Sequence, residues 1–270
     1  MPVFSVIPEL CRQDGICASV CPAHVIRGPK GKTPVMREGK EDNCIACGHC
    51  MAFCPHGAAR VDVLDLREML PLDRKLLPGP EAVEMLCMTR RSIRHFKNKP
   101  VPKELLQRIL DAARHSPSGK NHRPVRWLAV YEPEKMRAVG DMVAEALQKD
   151  MESSAPLIAE AKALAKAWNR GMDPVFRGAP HLVLAVTPKG GLHGVDAAIA
   201  LTYLEIAALP HNVGACWAGY VTIMARVYQP LQKLLGIAEH EEVNGGQMLG
   251  YIALRPTASA PRRPFATVWL

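Results

Sequence analysis

The chain has 270 residues, 48% of them apolar, with 34 Lys and Arg against 26 Asp and Glu for a net charge of +8. That length suits a small domain plus a medium one, and that apolar share is enough for a sizeable core. No apolar run is long enough to span a membrane, and the start MPVFSVIPEL lacks the basic lead of a secretory signal, so a soluble, cytoplasmic chain with no membrane partner is expected. The arginines fall in short local groups without a recognition motif. This argues against nucleic acid and for something anionic, a phosphate-bearing cofactor or an acidic redox partner.

Seven of the nine cysteines lie between Cys11 and Cys54. Without an export signal, such clustered thiols are expected to hold metal rather than form disulfides. Cys44, Cys47, Cys50 and Cys54, followed by Pro55, have the spacing C-x2-C-x2-C-x3-C-P. Three thiolates on one tight loop can each reach a different iron of a cubane, and the fourth points to a second cluster. Zinc more usually pairs one C-x2-C with a distant second pair. The segment from Cys11 to Cys21-Pro22 repeats the length and the ending, with Asp14 where the second cysteine would stand.

This repeat resembles the bacterial two-cluster ferredoxins. The resemblance implies that Cys44, Cys47, Cys50 and Cys21 hold one [4Fe–4S] cluster and that Cys11, Cys17 and Cys54 hold the other. Asp14 is either the fourth ligand of the second cluster or a turn-forming Asp-Gly residue. As a ligand it would be a harder donor than thiolate, so its iron would be labile and a [3Fe–4S] form would appear on oxidation. Residues 29–43 are expected as a loop between the two halves, and Val61-Asp62-Val63 as the strand closing the small sheet. His24, His49 and His56 read as polar neighbours of the cysteines. Pro71, Pro78, Gly79 and Pro80 punctuate the connector, which places the domain division at 1–72 and 73–270.

A helical pattern begins near Glu81 and leads into Thr89-Arg90-Arg91-Ser92-Ile93-Arg94-His95-Phe96. Three arginines and a serine make a good phosphate grip, because guanidinium forks match phosphate oxygens and serine adds a hydroxyl donor. Residues 101–110 read as a helix with Pro102 in its first turn, ending at the breaker-rich loop Ser116-Pro117-Ser118-Gly119-Lys120-Asn121. Strands are expected at 127–131, 181–186 and 247–254, and helical material between the first two, including the Ala/Lys-rich run from Ala155 to Trp168. Asp196 to Leu209 is apolar almost all round and reads as a buried helix. Asn212-Val213-Gly214-Ala215-Cys216-Trp217-Ala218-Gly219 is a further motif-bearing strand.

The R-x-S-x-R segment, the P-S-x-x-N loop and the G-x-C-W-x-G strand resemble, in this order, the nitroreductase family of FMN-dependent enzymes, over about residues 82–270. The resemblance implies an α+β fold: a small two-cluster ferredoxin-like domain followed by an FMN domain that forms an interlocked homodimer, with residues 196–209 as its central helix. It also implies roles. Arg90, Arg91, Ser92 and Arg94 would hold the FMN phosphate and the polar edge of the ring. Pro117, Ser118 and Asn121 would touch the flavin from the partner subunit. Trp217, Ala218 and Gly219 would lie along the ring, with the Gly219 amide near N5, and Arg262 or Arg263 would close on the phosphate. No catalytic side chain is required, since the chemistry sits on FMN. Cys216 and Cys87 read as structural thiols. Two departures stand out: Ala218 replaces an acidic residue of many members, and His122-Arg123-Pro124 follows Asn121. A basic Arg123 near the flavin would favour an anionic substrate or the semiquinone anion.

The expected function is an oxidoreductase that takes electrons through its own clusters, from reduced ferredoxin or another low-potential donor or from NAD(P)H, and reduces a small aromatic or conjugated acceptor. The alternative is a non-catalytic electron-transfer or redox-sensing module.

Overall fold

The two cysteine repeats and the apolar strands of the second half each build their own core. A computed structural model describes residues 3–149 and 158–270. It contains two compact units, Met1–Leu77 with Lys120–His122, and Pro78–Gly119 with Arg123–Leu270.

In the first unit, strand β1 (Phe4–Val6) pairs antiparallel with β4 (Ala59–Val61), and β2 (Ile26–Arg27) with β3 (Val35–Met36). Each cysteine repeat makes a one-turn helix, α1 (Ile16–Ser19) and α2 (His49–Ala52). Each is preceded by a glycine in the left-handed region, Gly15 at φ 78° and Gly48 at φ 74°. Only glycine enters that region without a Cβ penalty, so these two positions in the repeat set the turn that presents Cys17 and Cys50. Phe4, Val25, Ile26, Met51, Ala59 and Val61 pack around the cysteines as one core. Residues 29–43 are not simply a loop. They carry β3 and the 3₁₀ turn Glu41–Asn43, because Pro34 and Val35 fold back on Ile26–Arg27. The closing strand ends at Val61, and Val63 is exposed beyond it.

The second unit opens with α3 (Pro80–Thr89), whose Pro80 occupies the first turn, and α4 (Lys103–Ala113). Its sheet has the order β5-β6-β8-β7, all antiparallel: β5 (Arg126–Val130), β6 (His181–Pro188), β7 (Val213–Trp217) and β8 (Glu241–Tyr251). Helices α5 (Pro133–Gln148), α6 (Ile158–Asn169), α8 (Gly219–Val227) and α9 (Gln229–Leu235) share one core, which includes Leu182, Leu184 and Val186. Val183 belongs instead to the core of α4 and α7 (His193–Ala208). With both faces of β6 covered, its sequence is a continuous apolar run rather than an alternation. The Ala155–Trp168 run begins outside the described residues; from Ile158 it is helical.

In the second unit, β8 and α7 differ from their sequence expectation. Strand β8 starts at Glu241, six residues early, because Gly245 and Gly246 lie inside it. A Cβ on Gly246 would strike Leu184 and one on Gly245 would strike Leu201, so these glycines serve close packing, not a break. Helix α7 is not buried all round within the chain: Leu201, Leu204 and Ala208 face the sheet, while Val195 and Tyr203 are exposed. Among the described residues no helix is long and apolar enough to cross a membrane.

Candidate functional site

The cysteines of the first unit fall into two neighbourhoods. Cys21, Cys44, Cys47 and Cys50 line one cavity together with Phe4, Val25, Ile26 and Val61. Burial pushes the Cys50 thiol up to about 11, and Cys47, Cys21 and Cys44 add to the rise. Burial likewise raises Cys17, whose other charged neighbours are Asp14, Cys54 and Cys11. Buried, mutually repelling thiolates form readily only when a metal takes the place of the proton. Cys21 thus stands with the second repeat and Cys54 with the first. Such a crossover of fourth ligands suits two clusters rather than isolated ions. Among the described residues no three His, Cys, Asp or Glu side chains converge as ligands of one ion.

Asp14 does two things at once. Its Oδ1 accepts a hydrogen bond from the Ile16 amide at 3.0 Å, and its Oδ2 lies 4.0 Å from His56 Nε2. His56 was read only as a polar neighbour; its approach to Asp14 depends on a contact 42 residues away in sequence, with no local signal. The Asn121 side-chain amide, in the return segment of this unit, donates to the carbonyl oxygens of Ile45 and Ala46 at 3.1 Å each. Lys120 and Asn121 adopt positive φ (48° and 55°) to reach this position.

In the second unit the arginine segment runs beside β7. Ser92 bridges Ala215, and the Ile93 amide donates to the Ala215 carbonyl at 2.9 Å. This approach needs Gly214, because a Cβ there would lie 2.6 Å from Ile93. The segment is therefore held against the Cys216-Trp217-Ala218-Gly219 strand end. Burial raises the Cys216 thiol; Arg94, Arg177 and Ser92 act against that rise. Ser92, Arg94 and Arg177 are thus neighbours of Cys216. Arg177, on a loop capped by Asp173, carried no signal in sequence. Arg90 is engaged elsewhere: its Nη1 donates to the buried Glu205 carboxylate of α7 at 2.8 Å. Arg91 is half-buried.

Trp217 is 43% exposed, Ala218 is buried, and Gly219 opens α8. A Cβ on Gly219 would meet no atom within 4 Å, so the space beside its α-carbon is open. Pro117 and Ser118 border a second recess with Arg123, Trp127 and Asp196. There Ser118 Oγ accepts from the Arg123 amide and Asp196 accepts from the Gly119 amide. Arg262 and Arg263 lie in an exposed tail without regular structure, away from any described partner. An exposed indole, open space beside Gly219 and an arginine segment paired with the same strand suit a flat, phosphate-bearing ring such as FMN. The paired thiol neighbourhoods suit iron–sulfur clusters.

Comparison with known proteins agrees with this division. The profile described as Nitroreductase family matches residues 87–251, and that described as 4Fe-4S dicluster domain matches residues 10–59. A protein of Methanothermobacter thermautotrophicus, described provisionally as an NADH dehydrogenase/NAD(P)H nitroreductase, is 28% identical over 169 residues, 62% of this chain and 76% of that protein. The electron transport protein HydN of Escherichia coli is 45% identical over 56 residues, 20% of this chain and 30% of HydN. Among solved structures, a nitroreductase with bound FMN from Bacteroides fragilis superposes with a TM-score of 0.59 at 22% identity, covering 71% of this chain and 99% of that one. The last likeness concerns the fold.

Proposed function

Because the chain belongs to the nitroreductase family and carries a 4Fe-4S dicluster domain, we propose that it is an FMN-dependent oxidoreductase fed by two clusters of its own. The observation that carries this reading is the pairing of the Arg90–Arg94 segment with the strand that ends at Gly219, in a chain whose thiols gather into two neighbourhoods.

FMN, when bound, supplies the electron or hydride transfer to the acceptor. The chain's residues do the rest. Ser92, Arg91 and Arg94 supply donors for the phosphate and the polar ring edge, and Arg90 braces them through Glu205. Trp217, Ala218 and Gly219 border the ring's place, with the α8 amides offering positive charge beside it. Pro117, Ser118 and Asn121 belong to the same site in the reading, as does Arg262 or Arg263 brought in by the tail. Cys44, Cys47, Cys50 and Cys21 hold one cluster. Cys11, Cys17, Cys54 and Asp14 hold the other, whose iron on Asp14 is the labile one. Membership of the nitroreductase family favours an enzyme rather than a bare relay. Its acceptor is a small conjugated or aromatic compound, and Arg123 suits an anionic one.

The reading includes an interlocked homodimer. Exposed Val195 and Tyr203 on α7, and Phe265, Val268, Trp269 and Leu270 in the tail, form apolar surface that a second copy would cover. It also takes 1–72 and 73–270 as the working modules and a cytoplasmic setting.

The test is anaerobic purification with absorbance, iron and flavin analysis and EPR, followed by acceptor reduction with reduced ferredoxin and with NADPH. Flavin, two cluster signals and turnover from at least one donor are expected. Bound zinc in place of iron, or no flavin after reconstitution, would overturn the proposal.

A further inference from the structure

Electrons need a place to enter, and the first unit is not uniform in charge. From Arg27 to Arg37 every charged residue is a cation: Arg27, Lys30, Lys32 and Arg37. All four are exposed, and among the described residues none is in an ion pair. The acids Glu38, Glu41 and Asp42 come only afterwards, on the run into Cys44.

This hairpin is stapled to one cysteine loop. The Gly31 amide donates to the Gln13 carbonyl at 2.8 Å, and Gln13 Nε2 donates to Thr33 Oγ1 at 3.2 Å. Gln13 lies between Cys11 and Cys17 and adopts a positive φ of 55°. A non-glycine residue keeps that conformation only where its surroundings enforce it. Gly28 and Gly15 permit the close fit: a Cβ on Gly28 would lie 2.8 Å from Pro34, and one on Gly15 would lie 3.0 Å from the Gly28 carbonyl. Lys30 and Lys32 therefore sit on a rigid tip against the Cys11–Cys17 loop. Exposed Leu10 and Val35 lie on the same two segments. Of the neighbouring carboxylates, Glu38 follows Arg37 in the chain, and Asp14 of the cysteine loop is turned to the Ile16 amide and His56.

We propose that the Arg27–Arg37 hairpin is the docking surface for an acidic electron-carrier protein that reduces the cluster held by Cys11, Cys17 and Cys54. The inference rests on the iron–sulfur reading above and adds the partner and its place of contact. Each encounter moves one electron: the carrier is oxidised by one, the cluster is reduced by one, and no bond or proton changes. Cations on a rigid tip steer a negative partner from beyond contact range and raise its association rate. Redox encounters are small and transient, so a few charges and two apolar side chains are enough.

The test uses the full-length, iron-loaded protein and its K30E/K32E variant in stopped flow, with a purified acidic two-cluster ferredoxin, reduced, as the probe. Reduced methyl viologen, a small cation, is the control reductant. The second-order rate with ferredoxin should fall at least about tenfold in the variant at low salt. The wild-type rate should fall with added salt until the two converge, and the rate with cationic viologen should not fall in the variant. A K30Q/K32Q variant should fall part-way, and EPR with iron analysis verifies that both variants keep their clusters. Equal ferredoxin rates at every salt concentration would sink this surface while leaving the clusters in place. So would tight retention of duplex DNA or RNA by the hairpin with no salt dependence of the ferredoxin rate. Protein that holds no iron would sink the underlying reading and this surface together.

Discussion

At the residue scale, chemistry is decided by what each side chain touches. Arg94 is exposed and near Cys216, free to meet a phosphate. Arg94→Ala is expected to weaken FMN binding about ten- to hundredfold, the worth of one charge-assisted hydrogen bond, with little change in the melting of the flavin-free protein. Flavin fluorescence titration measures it. Asp14 already spends one oxygen on the Ile16 amide, so under the proposed ligation it would be a weaker and more exchangeable ligand than thiolate. On that proposal the wild type is expected to give a [3Fe–4S] EPR signal in air and Asp14→Cys to lack it. His181 is buried, stacks on Tyr131 at 4.4 Å and accepts the Val101 amide at 2.9 Å. Burial holds its pKa below the usual imidazole value. As pH falls below about 6.5 the unfolded imidazole gains a proton that the folded one refuses, so stability is lost on acidification. Thermal melts from about pH 8 down to pH 5.5 should show a shallower decline for His181→Gln than for the wild type.

At the element scale, the candidate site is made by two segments that run side by side. The arginine segment pairs with β7 only because Gly214 has no side chain to collide with Ile93 and Ile252. Gly214→Ala should cost about 1–3 kcal/mol of stability by overpacking. It should also weaken FMN binding, although residue 214 reaches no ligand. Chemical denaturation and flavin titration check the two effects separately. Gly15 and Gly48 do the equivalent work in the first unit, each turning the chain so that a cysteine two residues on faces inward. The cysteine spacing, the buried β6 and the α4 helix were legible because each is a local pattern. The early start of β8 was hidden by Gly245 and Gly246, whose packing against Leu201 and Leu184 involves partners 44 and 62 residues away.

At the scale of the whole molecule, much apolar surface is exposed among the described residues. Val195 and Tyr203 on α7, and Phe265, Trp269 and Leu270 in the tail, are expected to be covered by a second copy. Tyr203→Glu should therefore give a monomer by light scattering and lose FMN, while the cluster EPR signals persist. The net charge of +8 read as a single number suggested only an anionic partner. Four of the chain's cations stand together on one hairpin of the first unit with no acid among them, and that local excess gives the proposed docking surface its direction.

The sequence by itself carried the marks of the nitroreductase family and of a 4Fe-4S dicluster domain, because these are patterns of residue types at short, fixed spacing. It also marked the strands and helices whose apolar runs were long enough to be read locally. Tertiary structure alone decided which side chains share a site. It joined Cys21 to the second repeat, Arg90 to Glu205, Asn121 to the Ile45–Ala46 carbonyls, and the basic hairpin to Gln13. Such pairings arise from packing between segments far apart in the chain, where burial, close backbone approach and charge act through space and leave no mark on neighbouring residues.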